Sequence, residues 1–397
     1  MRVTQSLNQS QFLTALNQIE SRLSQTQNQI TSNLNFTTAA QDPVAAGLVN
    51  SYNQTLAQNT QYDANGNIAQ TNLSVEDNAL SQVQTQLQSL RDLALQANNG
   101  QLSPDARSAI ASQASQIQSS LLALANTQNG NGEYIFGGNS TLSPPFVSTP
   151  SGAAYTGDQG QRQVQIAGGQ TVANGDNGNE VFNLIRTGNG TVVAAASVSN
   201  VGTGVLGATT ISDPTAYDGG TYAINFTAAN TYEVRDSNNG LVTSGTSGSG
   251  QSVAFRGVQI ALSGQPTIGD SFSVAPSANQ SVFTSIQNLV NSLQKGLGTS
   301  AAQAQLNNSI GTAINNIDQA LNQISTVRSA VGGRLNAITA QQSVSSSQQI
   351  QLQRSISALQ SLDYAKAITT LTEQNTTLSA SMQAYTLTKG LTLFKYL

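Results

Sequence analysis

The sequence predicts a multidomain protein of mixed α and β class. We expect a long α-helical rod of coiled coils or bundles, built from both the N- and C-terminal flanks, with an inserted antiparallel β domain. In both flanks apolar residues recur every three or four positions, which is typical of helices that pack side by side. In the middle the apolar pattern changes to alternation, and 23 of the 34 glycines fall between Gly137 and Gly269.

These patterns divide the chain into three expected parts. Residues 1–43 and 353–397 form a terminal coiled-coil domain, residues 44–140 and 281–352 form a helical rod domain, and residues 141–280 form a β-rich, solvent-facing insert. The helices on either side of the insert are far apart in the sequence. They must therefore pair first flank against second, and the two termini must lie together.

The first flank contains one uninterrupted heptad phase over residues 48–97. Two segments inside it leave open a break between two helices: Asp63–Gly66 looks like a turn, and Ser74–Asp77 looks like a capping box. A true break would usually shift the phase, and here the phase is the same on both sides. We therefore favour a single long helix.

Shorter helices are predicted next to the insert. Ser103 is a good N-cap, and Pro104 suits the first turn of the helix that follows, which should end near Asn129. On the other side of the insert, apolar residues from Ile286 to Leu297 predict a second short helix.

The second flank predicts a very long helix, whose register runs from Ile310 to Leu359. The pair Gly332-Gly333 costs roughly 1 kcal/mol per glycine relative to Ala, but it does not move the phase. Between Ala340 and Gln349 the seam positions are polar, so we expect a hinge or fraying there.

The middle of the chain predicts strands. Tyr222, Ile224 and Phe226 alternate onto one face, and Val258–Leu262 does the same. Asn238-Asn239-Gly240 predicts a hairpin turn, because Asn and Gly tolerate positive φ. Further strands are expected at Val164–Ile166, Thr191–Ala194, Val253–Phe255 and Phe272–Val274.

Composition argues against most catalytic classes. The chain has 397 residues with no Cys, no His and no Trp, and only 9% of its residues are charged. Thiol nucleophiles, Cys-based metal sites and the commonest general base are therefore missing. We predict no enzyme activity, no cofactor and no metal site.

Charge and hydropathy bear on the partners. Residues 141–280 hold eight acidic residues against four arginines, and the rest of the chain balances. No basic run exists to bind nucleic acid or anionic lipid, and no apolar stretch approaches the roughly 20 residues of a membrane span. The first 16 residues lack the pattern of a cleavable secretory signal. We expect a cytoplasmic protein, or one exported by a route that reads no such signal.

Three short motifs suggest chemistry that their context contradicts. Gly202-x-Gly204-x-x-Gly207 matches a dinucleotide fingerprint, but a strand-like segment follows where a helix is needed. Asp63-x-Asn65 resembles the start of a calcium loop without the acid at its twelfth position. Glu76 and Asp77 are adjacent, so on a helix they point to different faces and form no catalytic pair.

The terminal segments carry the candidate functional residues. Their apolar stripes could form an intramolecular coiled coil or a surface that binds neighbouring copies. We favour the second, because four large apolar residues and a Tyr occupy the last seven positions and would otherwise fray into water. We also expect both ends to order only between neighbours. The predicted assembly interface comprises Phe12, Leu16, Ile19, Leu23, Ile30, Ile368, Leu371, Leu378, Met382, Tyr385, Leu391, Leu393, Phe394 and Leu397.

Several segments, in order, resemble the hook–filament junction proteins of the bacterial flagellum, a family related to flagellin. The segments are Met1-Arg2-Val3-Thr4, Asp42–Ala46, Gly132–Gly138, Val327–Asn336, Leu362-Asp363-Tyr364, Ala384-Tyr385 and Leu391–Leu397. Two positions depart from the family pattern: Gln41 stands where a second acid is common, and Asn33-Leu34-Asn35 replaces a loop that usually contains Gly and a basic residue.

The resemblance implies a structural subunit that is exported unfolded through the flagellar type III system and secreted. Its copies would form a ring at the junction between hook and filament. The implied partners are the first hook-associated protein, flagellin, the flagellar cap during assembly, and a cytoplasmic export chaperone on the C-terminal helix. A minor flagellin is the alternative within the family. The alternative outside the family is a secreted glycan-binding or carbohydrate-active protein that uses the β insert.

Overall fold

The computed structural model describes residues 2–99, 102–247, 251–296 and 298–390. Within these residues there are six α-helices: α1 (Arg2–Ser32), α2 (Pro43–Ala97), α3 (Pro104–Ala125), α4 (Val282–Leu293), α5 (Ser300–Gln360) and α6 (Tyr364–Gly390). All strands lie between α3 and α4, and they pair antiparallel. The predicted fold class is confirmed.

Contacts divide the chain into two compact units. The first draws on residues up to Ala64 and from Gln341 onward, and the second is Asn65–Ala340. The predicted three-part division, with its boundaries at residues 43, 140, 280 and 352, stays a prediction.

The helix α2 continues through both segments that resembled a break. Its start is fixed by Asp42, whose Oδ1 accepts a hydrogen bond from the Ala45 backbone N–H at 2.9 Å, and by Pro43 in the first turn. The capping-box sequence does not act as a cap, since the Ser74 hydroxyl donates to the Gln70 carbonyl at 2.7 Å. The single long helix is confirmed.

The other predicted helices are also present. The Ser103 side chain caps α3 by accepting from the Ala106 N–H at 3.2 Å, and α3 ends at Ala125, earlier than Asn129. The helix α5 runs unbroken through Gly332-Gly333 and through the polar stretch after Ala340.

The helices of the two flanks pair within the second unit, as expected. Two ion pairs join α2 to α5: Arg91 to Asp318 at 2.6 Å, and Arg328 to Asp77 at 2.9 Å. Between the helices lies one continuous core, to which each fully buried Leu or Ile contributes on the order of 1.5–3 kcal/mol. Its helical members include Leu73, Leu80, Leu87, Leu90, Ile110, Leu121, Ile286, Leu289, Ile310, Ile317, Ile324 and Val331.

Fourteen strands occur in the described part of the insert: β1 (Phe146–Thr149), β2 (Gly152–Tyr155), β3 (Gln163–Ala167), β4 (Gln170–Ala173), β5 (Ile185–Arg186), β6 (Val192–Ala196), β7 (Val205–Ile211), β8 (Tyr222–Ala228), β9 (Thr231–Asp236), β10 (Leu241–Thr246), β11 (Ser252–Phe255), β12 (Val258–Ser263), β13 (Ser271–Pro276) and β14 (Asn279–Gln280). A short π-helical turn covers Asn179–Asn183. Two larger sheets have the orders β10-β9-β8-β13-β6 and β11-β12-β7.

These two sheets face each other across a core of their own, and β6 lies beside β7 where the sheets meet. The alternating residues predicted to point inward do so: Tyr222, Ile224 and Phe226 are buried, as are Val258 and Ile260. Asn239 has φ +64° in the predicted hairpin turn between β9 and β10. The expected strands are all present.

An aromatic cluster joins the base of the insert to the helices. The Phe146 ring centroid lies 5.4 Å from that of Phe182 and 5.3 Å from that of Phe283, and the Phe136 and Phe182 centroids are 5.2 Å apart. All four side chains belong to the helical core. The insert is therefore packed onto the helices of the second unit.

None of the described helices combines the length and apolarity that a membrane span requires.

Candidate functional sites: the terminal helix pair and the insert joint

The first candidate site is the antiparallel pair of α1 and α6. The Phe12 and Tyr385 rings stack with centroids 4.8 Å apart. At the other end of the pair, the Tyr364 hydroxyl donates to the Ile30 carbonyl at 2.9 Å. The expectation that the two ends of the chain pair with each other is confirmed.

This pair has no interior of its own. Phe12 and Tyr385 are only half-buried, and so are the other apolar residues of the seam. Among the described side chains of the two helices, only Thr26 and Ala367 are buried. Two helices in contact along one seam cover most of each seam side chain and leave a smaller part of it exposed.

The predicted interface residues fall into three groups. Those half-buried in the seam are Phe12, Leu16, Ile19, Leu23, Ile30, Leu371, Leu378 and Tyr385. Ile368 and Met382 are more exposed, at 52% and 47%. Leu391, Leu393, Phe394 and Leu397 lie outside the described residues.

The loop between α1 and α2 explains both departures from the family pattern. Asn33 ends α1 in the left-handed region, with φ +57°, which Asn tolerates better than most residues. Gln41 Oε1 accepts from the Thr37 N–H at 2.7 Å and so ties the loop to itself. Phe36 packs against Val49 beneath this loop in a small core.

The second candidate site is the joint between the insert and α5. Asn308 is 7% exposed; its Oδ1 accepts from the Leu206 N–H at 2.7 Å, and its Nδ2 donates to the Gly204 carbonyl at 3.0 Å. Asn316 Oδ1 accepts from the Gly188 N–H at 3.0 Å. Each amide thus fixes the backbone of an irregular segment of the insert.

Two glutamines extend this row along α5. Gln305 Nε2 donates to the Val198 and Asn200 carbonyls at 2.9 and 2.8 Å, and Gln323 Nε2 donates to the Glu180 carbonyl at 2.9 Å. Positions 305, 308, 316 and 323 share one helical face. We call these four residues the amide row. Sequence reasoning missed it because it followed only apolar periodicity; a periodic stripe of Asn and Gln beside the apolar one was the available signal.

A buried charged cluster completes the joint. Arg334 donates to both oxygens of Asp176 at 2.9 and 2.8 Å, and Gln161 Nε2 donates to Asp176 Oδ1 at 2.7 Å. Glu76 on α2 is 1% exposed, and its Oε1 accepts from the Asp176 N–H at 3.2 Å. Burial, and then the charge of Asp176, raise the pKa of Glu76 well above its ordinary value.

The structure also shows what two of the short sequence motifs do. Glu76 faces Asp176 while Asp77 pairs with Arg328, so the two acids point to different partners as predicted. The Gly202 N–H donates to the Asp270 carboxylate at 3.2 Å, and a strand follows rather than a helix. Gly202 and Gly204 lie in the loop before β7, and Gly207 lies within β7, so the motif has no helix N-terminus to hold a pyrophosphate. Within the described residues, no group of three or more acidic side chains is placed to hold a metal ion.

Family comparisons match both flanks and the insert. The profile described as the bacterial flagellin N-terminal helical region matches residues 3–141, and its C-terminal counterpart matches residues 314–394. A profile described as the D2-like domain of flagellar hook-associated protein 1 matches residues 195–276, which are the two facing sheets.

The chain is also similar to solved structures of flagellar proteins. The crystal structure of FlgL from Xanthomonas campestris is 36% identical, with a TM-score of 0.73, and the match covers 77% of this chain and 99% of that one. The chain belongs to the flagellar hook-associated protein 3 family. Another family member, described as the flagellar junction protein FlgL from Legionella pneumophila, is 29% identical, with a TM-score of 0.68, over 72% of this chain and 98% of that one. The resemblance stated from the sequence is confirmed.

Curated members of the family match over shorter lengths. Flagellar hook-associated protein 3 of Salmonella typhimurium is 31% identical over 185 residues, which is 47% of this chain. The matched regions span about half the length of the curated relatives, 58% of the Salmonella protein and 45% of the Escherichia coli one.

Proposed function

We propose that the chain is a structural subunit of the bacterial flagellum that joins the hook to the filament by polymerising with copies of itself. The observation that carries this proposal is the similarity to FlgL proteins over nearly their whole length, one of which is described as a flagellar junction protein. The matches to flagellin at both flanks support a subunit that packs as flagellin does.

The terminal helix pair supplies the assembly surface in this proposal. Its apolar seam is only partly covered in the single chain, and burying apolar surface contributes about 25 cal/mol per Å². Contact with neighbouring copies would cover the outward sides of α1 and α6, including Ile368 and Met382. The predicted tail residues would extend the same surface.

The remaining parts of the proposal follow from the family. The partners are the first hook-associated protein, flagellin, the cap during assembly and an export chaperone on the C-terminal helix. The subunit is secreted unfolded by the flagellar type III route after a transient stay in the cytoplasm. It acts by packing and not by catalysis, since the acid with the most strongly raised pKa, Glu76, is engaged in a structural contact.

A deletion strain tests the junction role. Cells without the gene should keep their hooks, lose their filaments, and release flagellin into the medium, because nothing attaches the filament. Shortened or altered filaments would indicate a minor flagellin, the alternative that the flagellin matches at the flanks favour. A fully filamented strain contradicts both roles.

Complementation of that strain tests the surface. Ile368→Gln and Met382→Gln change side chains that are 52% and 47% exposed in the single chain, so folding should survive while filament attachment falls. Thr377→Gln, at an exposed position half a turn around α6 from Ile368, is the matched control and should restore motility. If all three variants restore motility equally, this surface is not the interface.

A further inference from the structure

The buried acid at the insert joint has a role that packing alone does not explain. Glu76 reaches from α2 towards the segment Asn174–Glu180, which leaves β4 and enters the short π-helical turn. This segment is held by its own bonds: the Asn174 N–H donates to the Arg162 carbonyl, and the Gly178 N–H donates to the Phe136 carbonyl, both at 2.8 Å. Glu76 supplies the contact between them.

The two carboxyl oxygens of Glu76 differ in their hydrogen bonding. Oε1 accepts from the Asp176 N–H, whereas Oε2 is buried and has no hydrogen-bond partner. A carboxylate oxygen that is buried without a donor is strongly disfavoured. A protonated Oε2 would instead be a donor, and the neighbouring Asp176 carboxylate is an acceptor within hydrogen-bonding reach.

The surrounding charges favour the same arrangement. Asp176 faces Glu76 from the insert, and Arg334 faces it from α5, but the guanidinium is already engaged by both Asp176 oxygens. Glu180 from the π-helical turn acts on Arg334, while Glu133 and Arg162 pair with each other at 3.5 Å. Two buried carboxyl groups therefore share one guanidinium, and one proton balances the charge.

Space at the site is restricted. A Cβ added to Gly175 would lie 3.6 Å from Glu76 Oε2, so the segment's backbone passes directly over this acid. A small cavity beside it is lined by Ile135, Gly138, Gly160 and Arg162 together with Asn174–Asp176. Glu76 Oε2 is buried, so bulk solvent does not reach the second oxygen of the acid directly.

We propose that Glu76 is a proton-operated latch for the insert: when protonated it donates to Asp176 and holds residues 174–180 on the helices, and when ionised it repels Asp176 and loosens that segment. The proton comes from solvent. Because the closed segment holds Glu76 protonated to higher pH than the open one does, opening becomes easier as pH rises. The effect levels off above the raised pKa. This inference does not depend on the junction role.

Hydrogen exchange of the full-length protein tests the latch. Backbone amides of residues 174–181 are followed in the natural chain and in Glu76→Gln, whose amide mimics the protonated acid, at pH 5, 6, 7 and 8. Comparing the two proteins at the same pH cancels the intrinsic pH dependence of exchange. The exchange rate of the natural chain divided by that of Glu76→Gln should rise by about tenfold per pH unit above the ordinary carboxyl pKa. The rise should end in a plateau.

Two further variants sharpen the result. Asp176→Asn removes the repelling charge and should make the rise with pH smaller, while the burial of Glu76 preserves part of it. Glu133→Gln, a nearby acid already paired with Arg162, should leave the rise unchanged. A ratio that stays constant with pH overturns the proposal, as does a Glu133→Gln protein that loses the rise.

Discussion

Single amide side chains set the position of the insert's backbone. Asn308 satisfies one N–H and one C=O group of the Gly204–Leu206 segment, and these groups have few alternatives because the site is buried. A hydrophobic residue at this position could fill the space but could not fix the register. The amide row therefore specifies orientation, while the aromatic cluster supplies apolar contact between the insert and the helices.

Asn308→Ala is expected to lower the free energy of unfolding by about 2–6 kcal/mol, because it leaves two buried backbone groups without partners at about 1–3 kcal/mol each. Denaturant unfolding monitored by circular dichroism measures this loss. Asn322→Ala, at an exposed position on the same helix, is the control and should be neutral or slightly stabilising. Equal effects of the two substitutions would show that the amide row does not hold the insert.

A second residue-scale prediction concerns alkaline pH. Burial, and then the hydrogen bond from its hydroxyl to Asp218, raise the pKa of Tyr222 to about 12 from 10.0. Since the folded-state pKa is the higher one, its contribution to stability is complete below pH 10 and is lost as pH rises towards 12. Tyr222→Phe should lose less stability than the natural chain between pH 10 and 12.

Denaturant unfolding at pH 9, 10.5 and 11.5 measures this difference. Tyr155, whose pKa is also raised to about 12, is present in both proteins and cancels in the comparison. Parallel stability curves for the two proteins would show that Tyr222 does not titrate in this range.

At this scale the sequence predicted separate roles for Glu76 and Asp77, because adjacent residues on a helix diverge. It could not predict that Glu76 meets Asp176, since 100 positions separate them and no local pattern links them. Asn33 shows the same limit. Its positive φ follows from the path of the loop that begins there, and not from the neighbouring residues.

The long helices were the most predictable elements. Their apolar period persists across Asp63–Gly66 and Gly332-Gly333, and the structure keeps both stretches helical. The unbroken phase of the apolar residues was the basis of this prediction. A packed helical face of many turns outweighs a few residues with poor helix propensity. The end of α3 was placed too late, since helix boundaries depend on caps rather than on period.

Gly333→Ala tests how far packing decides α5. The position is exposed and helical, and an added Cβ would meet nothing within 4 Å. The substitution should therefore raise the free energy of unfolding by about 1 kcal/mol through helix propensity. Gly257→Ala is the contrasting variant and should destabilise the chain, because Gly257 has φ +73° and its Cβ would collide with the Asp213 carbonyl. Thermal unfolding of both variants settles the comparison.

On the scale of the whole molecule, the two large cores and the proposed association surface are built from different residues. Both large cores, that of the helices and that of the facing sheets, belong to Asn65–Ala340. The terminal pair buries no large apolar side chain among its described residues. The sequence predicted only in part that the cores and the terminal helix pair would differ in this way. Heptad spacing is the same in a fully buried bundle and in a pair of helices whose seam is partly exposed.

A shortened chain of residues 44–352 should fold cooperatively and remain monomeric, because it keeps both cores and lacks the seam. The full chain should associate as its concentration rises, since association covers the outward apolar sides of α1 and α6. Sedimentation velocity over a range of concentrations distinguishes the two. A full chain that stays monomeric at every concentration would remove the basis for the proposed interface.

The ion pairs between α2 and α5 link residues 227 and 251 positions apart. Loops of that length close slowly, and contacts of such high order delay folding. The facing sheets, by contrast, join only residues 192–276, so they are complete once that shorter stretch has emerged. A polypeptide that leaves a narrow channel unfolded, from either end, would therefore fold its middle first. The pairing of α2 with α5 would form last.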